Sequence, residues 1–377
     1  MFSTSEKRNI FATLFQSEFF DTFMGKKFTS FKRYGLEGAE SALAAVEELF
    51  VQASRKGYEK VVLGMPHRGR LNLLVSLLDY PARALFAKVK GQSLVPKGMD
   101  CWDDVASHIA QTVTKKFDKS LQGKPLTVSM LHNPSHLEAV NPVAIGKARA
   151  KQDDFGADGK EKVLSLQLHG DSAYAGQGVV PETLQMAYLD GFSVGGTLHV
   201  IVNNQLGFTT GGVGRNRSSR YSSDIGKIIS MPVIHVNADN PEAVVFASRL
   251  CIDFQKAFHR DIMLDIIGYR KHGHNEVDEP AFTQPIMYQD IRSRKNIVQK
   301  YGQQLAAQGI IDLTPGAANN PIDRLTTRLN AYLEKELSES PNYESKKEEH
   351  FQGKWQGIGQ TPDCTDGETI DNHITPS

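Results

Sequence analysis

The sequence predicts an α/β protein built on a doubly wound, mostly parallel sheet. Two observations carry that expectation. Short apolar runs of β type alternate with helix-compatible segments. Nearly every run also ends in a dense cluster of His, Arg, Asn, Asp or Glu, where a purely structural sheet would carry ordinary turns. Ligands of open α/β sheets bind beyond the carboxyl ends of the strands, so these clusters point to an active site along one edge.

In chain order, residues 1–32 are mixed, aromatic-rich and without strong periodicity, and read as an N-terminal extension. Leu36 to Lys56 is an amphipathic helix, with Leu43, Val46, Leu49 and Phe50 at helical spacing. Val61-Val62-Leu63 is a strand leading to Met65-Pro66-His67-Arg68-Gly69-Arg70, and Leu126 to Leu131 is another leading to His132-Asn133-Pro134-Ser135-His136-Leu137-Glu138. Val163 to Leu168 and Leu198 to Val202 are strands ending at Gly170-Asp171 and Asn203-Asn204, with a crossover helix between them. Val233 to Val236 ends at Asn237. Asn240 as N-cap and Pro241 in the first turn then start a helix that runs to about Phe258. Ile262 to Ile267 is the last strand, ending at Tyr269-Arg270 and His272-Gly273-His274-Asn275-Glu276. The α/β domain is expected over 33–300. A helical extension follows over 301–358, with a surface helix from Arg324 to Leu337, and then a tail over 359–377.

Lysine plus arginine and aspartate plus glutamate are 43 each, and no basic stripe with interleaved aromatics occurs, so the charge argues neither for nucleic acid nor for an anionic membrane. No apolar run is long enough to span a bilayer. Cys101, Cys251 and Cys364 are far apart and form no CxxC, which disfavours a disulfide framework or thiolate zinc site and fits a reducing compartment. The segment Phe11 to Phe23, broken by Gln16, Glu18 and Asp21, is not a secretory signal.

Several clusters have two readings each. Asp171 and Asn204 are hard oxygen ligands suited to magnesium beside a phosphate, or two strand-end turns. Arg68 and Arg70 pair with diphosphate oxygens or satisfy loop carbonyls. His136 and Glu138, two apart in an extended segment, form an oriented acid/base pair or a buried ion pair. His272 and His274 prompt a metal check, but the surrounding sequence reads as a loop with no later histidine pair to complete a set. Gly176-Gln177-Gly178 lacks the third glycine of a dinucleotide fingerprint, yet leaves helix amides open to a phosphate or cofactor ring.

Together, Tyr34-Gly35-Leu36-Glu37-Gly38, Gly64 to Asn72, Asn133 to Glu138, His169-Gly170-Asp171, Gly176-Gln177-Gly178, Asn203 to Thr210, His235-Val236-Asn237 and Gly273 to Pro280 resemble the thiamine-dependent first component of 2-oxo acid dehydrogenase complexes, in the 2-oxoglutarate branch. The GD and NN pairs, with Asp171 and Asn204 33 positions apart, match that family's cofactor motif. Asn141 to Ala144, Val179 to Thr183 and Trp355-Gln356-Gly357 are similar to its 2-oxoadipate members. The resemblance implies a transketolase-like, diphosphate-type domain that binds thiamine diphosphate and magnesium. Asp171 and Asn204 would ligate the metal through side chains and Leu206 through its carbonyl, while Arg68 would contact the diphosphate. His67 and His108 would face the substrate carboxylates and the lipoyl group. Ser107 stands where 2-oxoglutarate enzymes typically carry tyrosine and suggests the longer 2-oxoadipate.

The implied reaction is decarboxylation of a 2-oxo dicarboxylic acid with acyl transfer to lipoamide. Its partners would be a lipoyl-bearing acyltransferase and dihydrolipoamide dehydrogenase, and its location the mitochondrial matrix of a eukaryote or the cytoplasm of a bacterium. The family's chain continues through a second domain that binds the aminopyrimidine and supplies its activating glutamate. The expectation is therefore a fragment, a truncated product or a subunit needing a second copy or complementary chain, inactive when isolated. The alternative is a non-catalytic cofactor-binding or dimer-competing protein on the same scaffold.

Overall fold

The computed structural model describes residues 2–345 except 98, 100–101, 118–122, 212–215 and 318–319. Cys101, Cys364 and the Trp355-Gln356-Gly357 motif lie outside the described residues, as does the tail at 359–377. Among the described residues seven strands form one sheet: β1 Lys60–Gly64, β2 Gln111–Lys115, β3 Leu126–Met130, β4 Val163–Gly170, β5 Thr197–Asn203, β6 Val233–Asn237 and β7 Ile262–Ile267. Their spatial order is β2-β3-β1-β4-β5-β7-β6. All neighbours are parallel except β2 and β3, which pair antiparallel at one edge.

The central strands β4 and β5 are buried almost end to end, as expected of parallel strands covered on both faces. Alternate residues of one strand feed different cores. Val61 and Leu63 of β1 join the main cluster with Leu43, Val46 and Leu49 of the helix Ser41–Arg55, whereas Val62 packs with Val140 and Ala144 of the helix Val140–Asp153. Helices therefore cover both faces, and the sheet is doubly wound. The helix Pro241–Phe258 starts where its cap signals place it: Asn240 Oδ1 accepts from Ala243 N–H at 3.1 Å, and Pro241 opens the first turn.

From β1 the chain moves outward to β2 and β3, then crosses back past β1 to β4 and β5. The strand order thus reverses between β1 and β4, the position where doubly wound sheets open a ligand crevice. Arg68 follows β1 and Asp171 follows β4, one on each side of that crevice.

Two elements differ from the sequence reading. Residues 4–27, read as a mixed extension, form one 24-residue helix, Thr4–Lys27. It packs against the helices Ser41–Arg55, Arg70–Leu77, Pro241–Phe258, Ile297–Ala307 and Pro321–Glu339, so apolar residues are needed around most of its circumference and no single amphipathic stripe survives. The strand β2 is short and half-exposed, with little apolar signal to mark it.

Candidate functional site

Asp171 is the first residue of a short helix, Asp171–Gly176, that begins directly after β4, and Asn204 directly follows β5. Parallel pairing with Gly170 beside Val202 brings the two strand ends together. Asn204 N–H donates to Asp171 Oδ1 at 3.1 Å. The remaining oxygens, Asp171 Oδ2 and Asn204 Oδ1, are buried and accept no hydrogen bond. Burial raises the Asp171 carboxyl above its ordinary pKa, opposed by the Asn204 N–H and the charges of Arg217 and Arg68. The turn beyond Asn204 is tightly wound, with left-handed backbone at Gln205 (φ 58°) and Phe208 (φ 51°). Between them Leu206 anchors the turn by burying its side chain against Tyr288 and Ile291.

Both arginines after β1 satisfy loop carbonyls, Arg70 completely and Arg68 in part. Arg70 is fully buried and satisfies carbonyls: those of Ile109 (2.7 Å), Met65 (3.1 Å) and Leu131. Arg68 gives Nη2 to the carbonyls of Tyr269 (2.8 Å) and Glu37 (3.2 Å), but its Nη1 is buried without a partner. Burial and the neighbouring Arg270 lower its pKa to about 10, and it remains a cation at neutral pH. Gly69 between them has φ 73°, and a Cβ there would lie 2.8 Å from Leu36 Cδ1, so this turn requires glycine.

His67 packs against the Tyr34 ring at a centroid distance of 4.0 Å and meets the edge of His274 at 5.3 Å, while Phe208 stacks on His274 at 4.1 Å. Burial, the second histidine and Arg270 push His67 down to about 3, and burial and Arg270 push His274 down to about 4, so both are neutral imidazoles at pH 7. His108 sits in a single 3-10 turn, Ala106–His108, with Nδ1 2.9 Å from Asp104 Oδ2. It is near enough for its charge to contribute to the depression of His67. The loop carrying His274 is tied down from below: Glu276 accepts from the N–H groups of Arg33 and Gly35, both at 2.9 Å.

His136 and Glu138 do not act together. The chain turns between them, with Ala139 N–H donating to the His136 carbonyl, so the alternation of an extended segment is lost. His136 is exposed, whereas Glu138 is buried and meets His169 Nδ1 at 2.7 Å. His272 and His274 also diverge, the first toward Glu37 at 3.4 Å and the second onto Phe208. The sequence reading assigned no individual site role to Tyr34, Arg217 or Arg270, and weighed His274 only as a metal ligand. Three arginines at 215, 217 and 220, soon after Asn203-Asn204, were a usable signal for Arg217.

A cleft of about 890 Å³ opens beyond the ends of β5, β6 and β7, between Asn204, Asn237 and Tyr269. Of His67, Arg68, His108, Asp171, Asn204 and Leu206, Asn204 alone borders it. Asp171 and Arg68 therefore lie outside this cleft, with Asn204 as the link between it and Asp171.

The family described as dehydrogenase E1 component matches residues 22–345. The chain belongs to this family. A probable 2-oxoadipate dehydrogenase complex component E1 homolog of Dictyostelium discoideum is 50% identical over 372 residues, covering 98% of this chain and 40% of the relative. The 2-oxoadipate dehydrogenase complex component E1 of Rattus norvegicus is 43% identical over 96% of this chain and 39% of its own length. A 2-oxoglutarate dehydrogenase E1 component of Brucella canis is 42% identical over 97% and 36%. The chain thus spans about two-fifths of the curated relatives it matches.

Among the described residues no three His, Cys, Asp or Glu side chains gather as a metal site, and no helix is long and apolar enough to cross a membrane. The oxygens left free at the crevice form a different donor set: one carboxylate, one amide and nearby backbone. That chemistry fits a hard cation sharing its shell with a phosphate.

Proposed function

We propose that this chain provides the diphosphate-and-metal side of a thiamine diphosphate site that acts on a 2-oxo dicarboxylic acid, 2-oxoadipate or 2-oxoglutarate. The acyl group passes to lipoamide on an acyltransferase component, with dihydrolipoamide dehydrogenase as the further partner. The observation that carries this reading is that, of the buried polar atoms without partners, three from separate chain segments, Asp171 Oδ2, Asn204 Oδ1 and Arg68 Nη1, lie together beside the strand-order reversal. A native interior rarely leaves such atoms unpaired without a ligand to use them.

In this reading Asp171, Asn204 and the Leu206 carbonyl hold magnesium, and Arg68 binds the diphosphate. When bound, the cofactor supplies the electron sink for decarboxylation. His67 and His274, uncharged at neutral pH, meet substrate carboxylates as N–H donors, and Asp104 orients His108 for the same work. Ser107, adjacent to His108, is small and accommodates a substrate one methylene longer. A methylene discriminates by only about 1–3 kcal/mol, so Ser107 favours 2-oxoadipate while admitting 2-oxoglutarate. A homodimer or a complementary chain completes the site, in the mitochondrial matrix of a eukaryote or the cytoplasm of a bacterium.

Calorimetry of thiamine diphosphate with and without magnesium tests the site. Metal-dependent binding that disappears in Asp171→Ala is expected. Equal binding by both proteins would overturn the metal assignment.

A further inference from the structure

Arg217, on the connection between β5 and β6, places its guanidinium Nη2 3.6 Å from Asp171 Oδ2. We propose that Arg217 is a built-in counter-ion that a divalent cation displaces, so that metal and diphosphate bind cooperatively rather than independently. The inference rests on the metal reading of Asp171 and adds the residue that governs how the metal enters.

The geometry sets this ion pair apart. Asp171 is fully buried, and an isolated carboxylate there would be costly, so a positive charge is needed nearby when no metal is bound. Arg217 supplies the charge at 3.6 Å, while Asp171 Oδ2 still accepts no hydrogen bond. Glu37 holds Arg33 in hydrogen-bond contact at 2.8 Å and Glu48 holds Arg249 at 2.6 Å. The buried pair of Arg33 Nε and Glu276 Oε1 is longer, at 3.8 Å, but that oxygen accepts the Gly35 N–H, whereas Asp171 Oδ2 accepts nothing. Arg217 neutralises Asp171 without satisfying it, which suits a partner that must leave. A divalent cation on that oxygen and a guanidinium beside it repel, so cation alone enters against the arginine. A diphosphate arriving with the metal brings negative charge, and the released guanidinium can pair with it. Arg217 therefore weakens binding of the metal alone and strengthens binding of the metal–diphosphate pair. By linkage each ligand must raise the affinity for the other.

Titration of this chain with Mn²⁺, read by electron paramagnetic resonance of the free ion, separates the possibilities without any activity measurement. Arg217→Gln should bind Mn²⁺ alone about tenfold more tightly than the unmodified chain, within the usual range for coupled sites. Thiamine diphosphate should then raise the Mn²⁺ affinity of the unmodified chain more than that of the variant. Arg217→Lys, which keeps the charge, should follow the unmodified chain in both titrations, and melting temperatures establish that both variants are folded. Equal Mn²⁺ affinity in the unmodified chain and Arg217→Gln, with binding lost in Asp171→Ala, would overturn the counter-ion role and leave the metal site standing. Retention of Mn²⁺ binding by Asp171→Ala would remove the metal assignment and this inference with it.

Discussion

β4 and β5 each contribute polar side chains to two clusters that the fold treats in opposite ways. In the interior, Glu138, His169, His199 and Asp261 form a continuous chain, with links of 2.7 Å, 2.9 Å and 3.3 Å. All four are almost completely buried, and each ring nitrogen has a partner. Only two residues beyond His169, at the strand end, Asp171 Oδ2 goes without a hydrogen bond, as do Asn204 Oδ1 and Arg68 Nη1. Leaving a buried polar atom unpaired costs about 1–3 kcal/mol, and this sequence completes a four-membered chain a few ångströms deeper in the same sheet. Glu138 Oε1 and the Tyr174 hydroxyl are also unpaired, but Glu138 Oε2 and the His169 ring beside Tyr174 belong to filled links. The interior cluster is satisfied mostly by its own members and ties two strands to two loops. The strand-end cluster leaves three polar atoms open, and the proposed ligand is what would fill them.

That contrast is easiest to break from the interior. Glu138→Ala should strip His169 and the Asn141 amide, 2.6 Å from Glu138 Oε2, of their acceptor. Removing one partner of a buried pair costs about 3–5 kcal/mol, so the urea midpoint should fall sharply. A loss under about 1 kcal/mol would mean that the chain is held by packing and that its hydrogen bonds are incidental. Asp171→Asn should behave in the reverse manner. Thiamine diphosphate binding in the presence of magnesium should weaken at least a hundredfold, about 2.7 kcal/mol, while stability of the unliganded chain stays level or rises. The rise follows from replacing a carboxyl whose burial already opposes its charge. If Asp171→Asn unfolds the chain as Glu138→Ala does, the two clusters are both structural and the comparison fails.

How far this division was readable beforehand depended on the element. β1, β3, β4, β5, β6 and β7 announce themselves as apolar runs, and their polar ends, including Asp171 and Asn204, stand out because each run stops at them. The Thr4–Lys27 helix was not legible, because contact with five other helices erases the periodicity that a half-exposed helix displays. The sequence marks Arg270 and His274 as part of the polar cluster after β7, but it carries no sign of the contacts that His67 and Phe208 make with His274. His274 lies on an irregular loop whose path is set by Glu276 gripping the backbone of Arg33 and Gly35, a long-range contact with no local signature. The interior relay was hidden for the same reason. His169 and His199 are 30 residues apart, and only strand pairing joins them.

Glu40 sharpens the comparison as an intermediate case, with the smallest expected effect. Its carboxylate accepts the Gly38 N–H at 3.1 Å, but burial, reinforced by Glu18 and Glu37, raises its pKa to about 7. The folded state therefore holds this proton more tightly than the unfolded state, whose glutamate titrates at about 4.5. Between those values the folded chain binds more protons, and stability must fall as pH rises from 4.5 to 7, then level off. Glu40→Gln removes that dependence. The difference in unfolding free energy between the variant and the unmodified chain should grow across this window and reach on the order of 2 kcal/mol in the variant's favour at pH 8. Subtracting one chain from the other cancels His67 and His274, which run the opposite way because their lowered pKa values make acid destabilising. A difference that stays flat with pH would show that Glu40 keeps its charge in the fold. Backbone N–H groups would then suffice for a buried carboxylate, which would weaken the case that Asp171, with an N–H bond from Asn204, requires a cation.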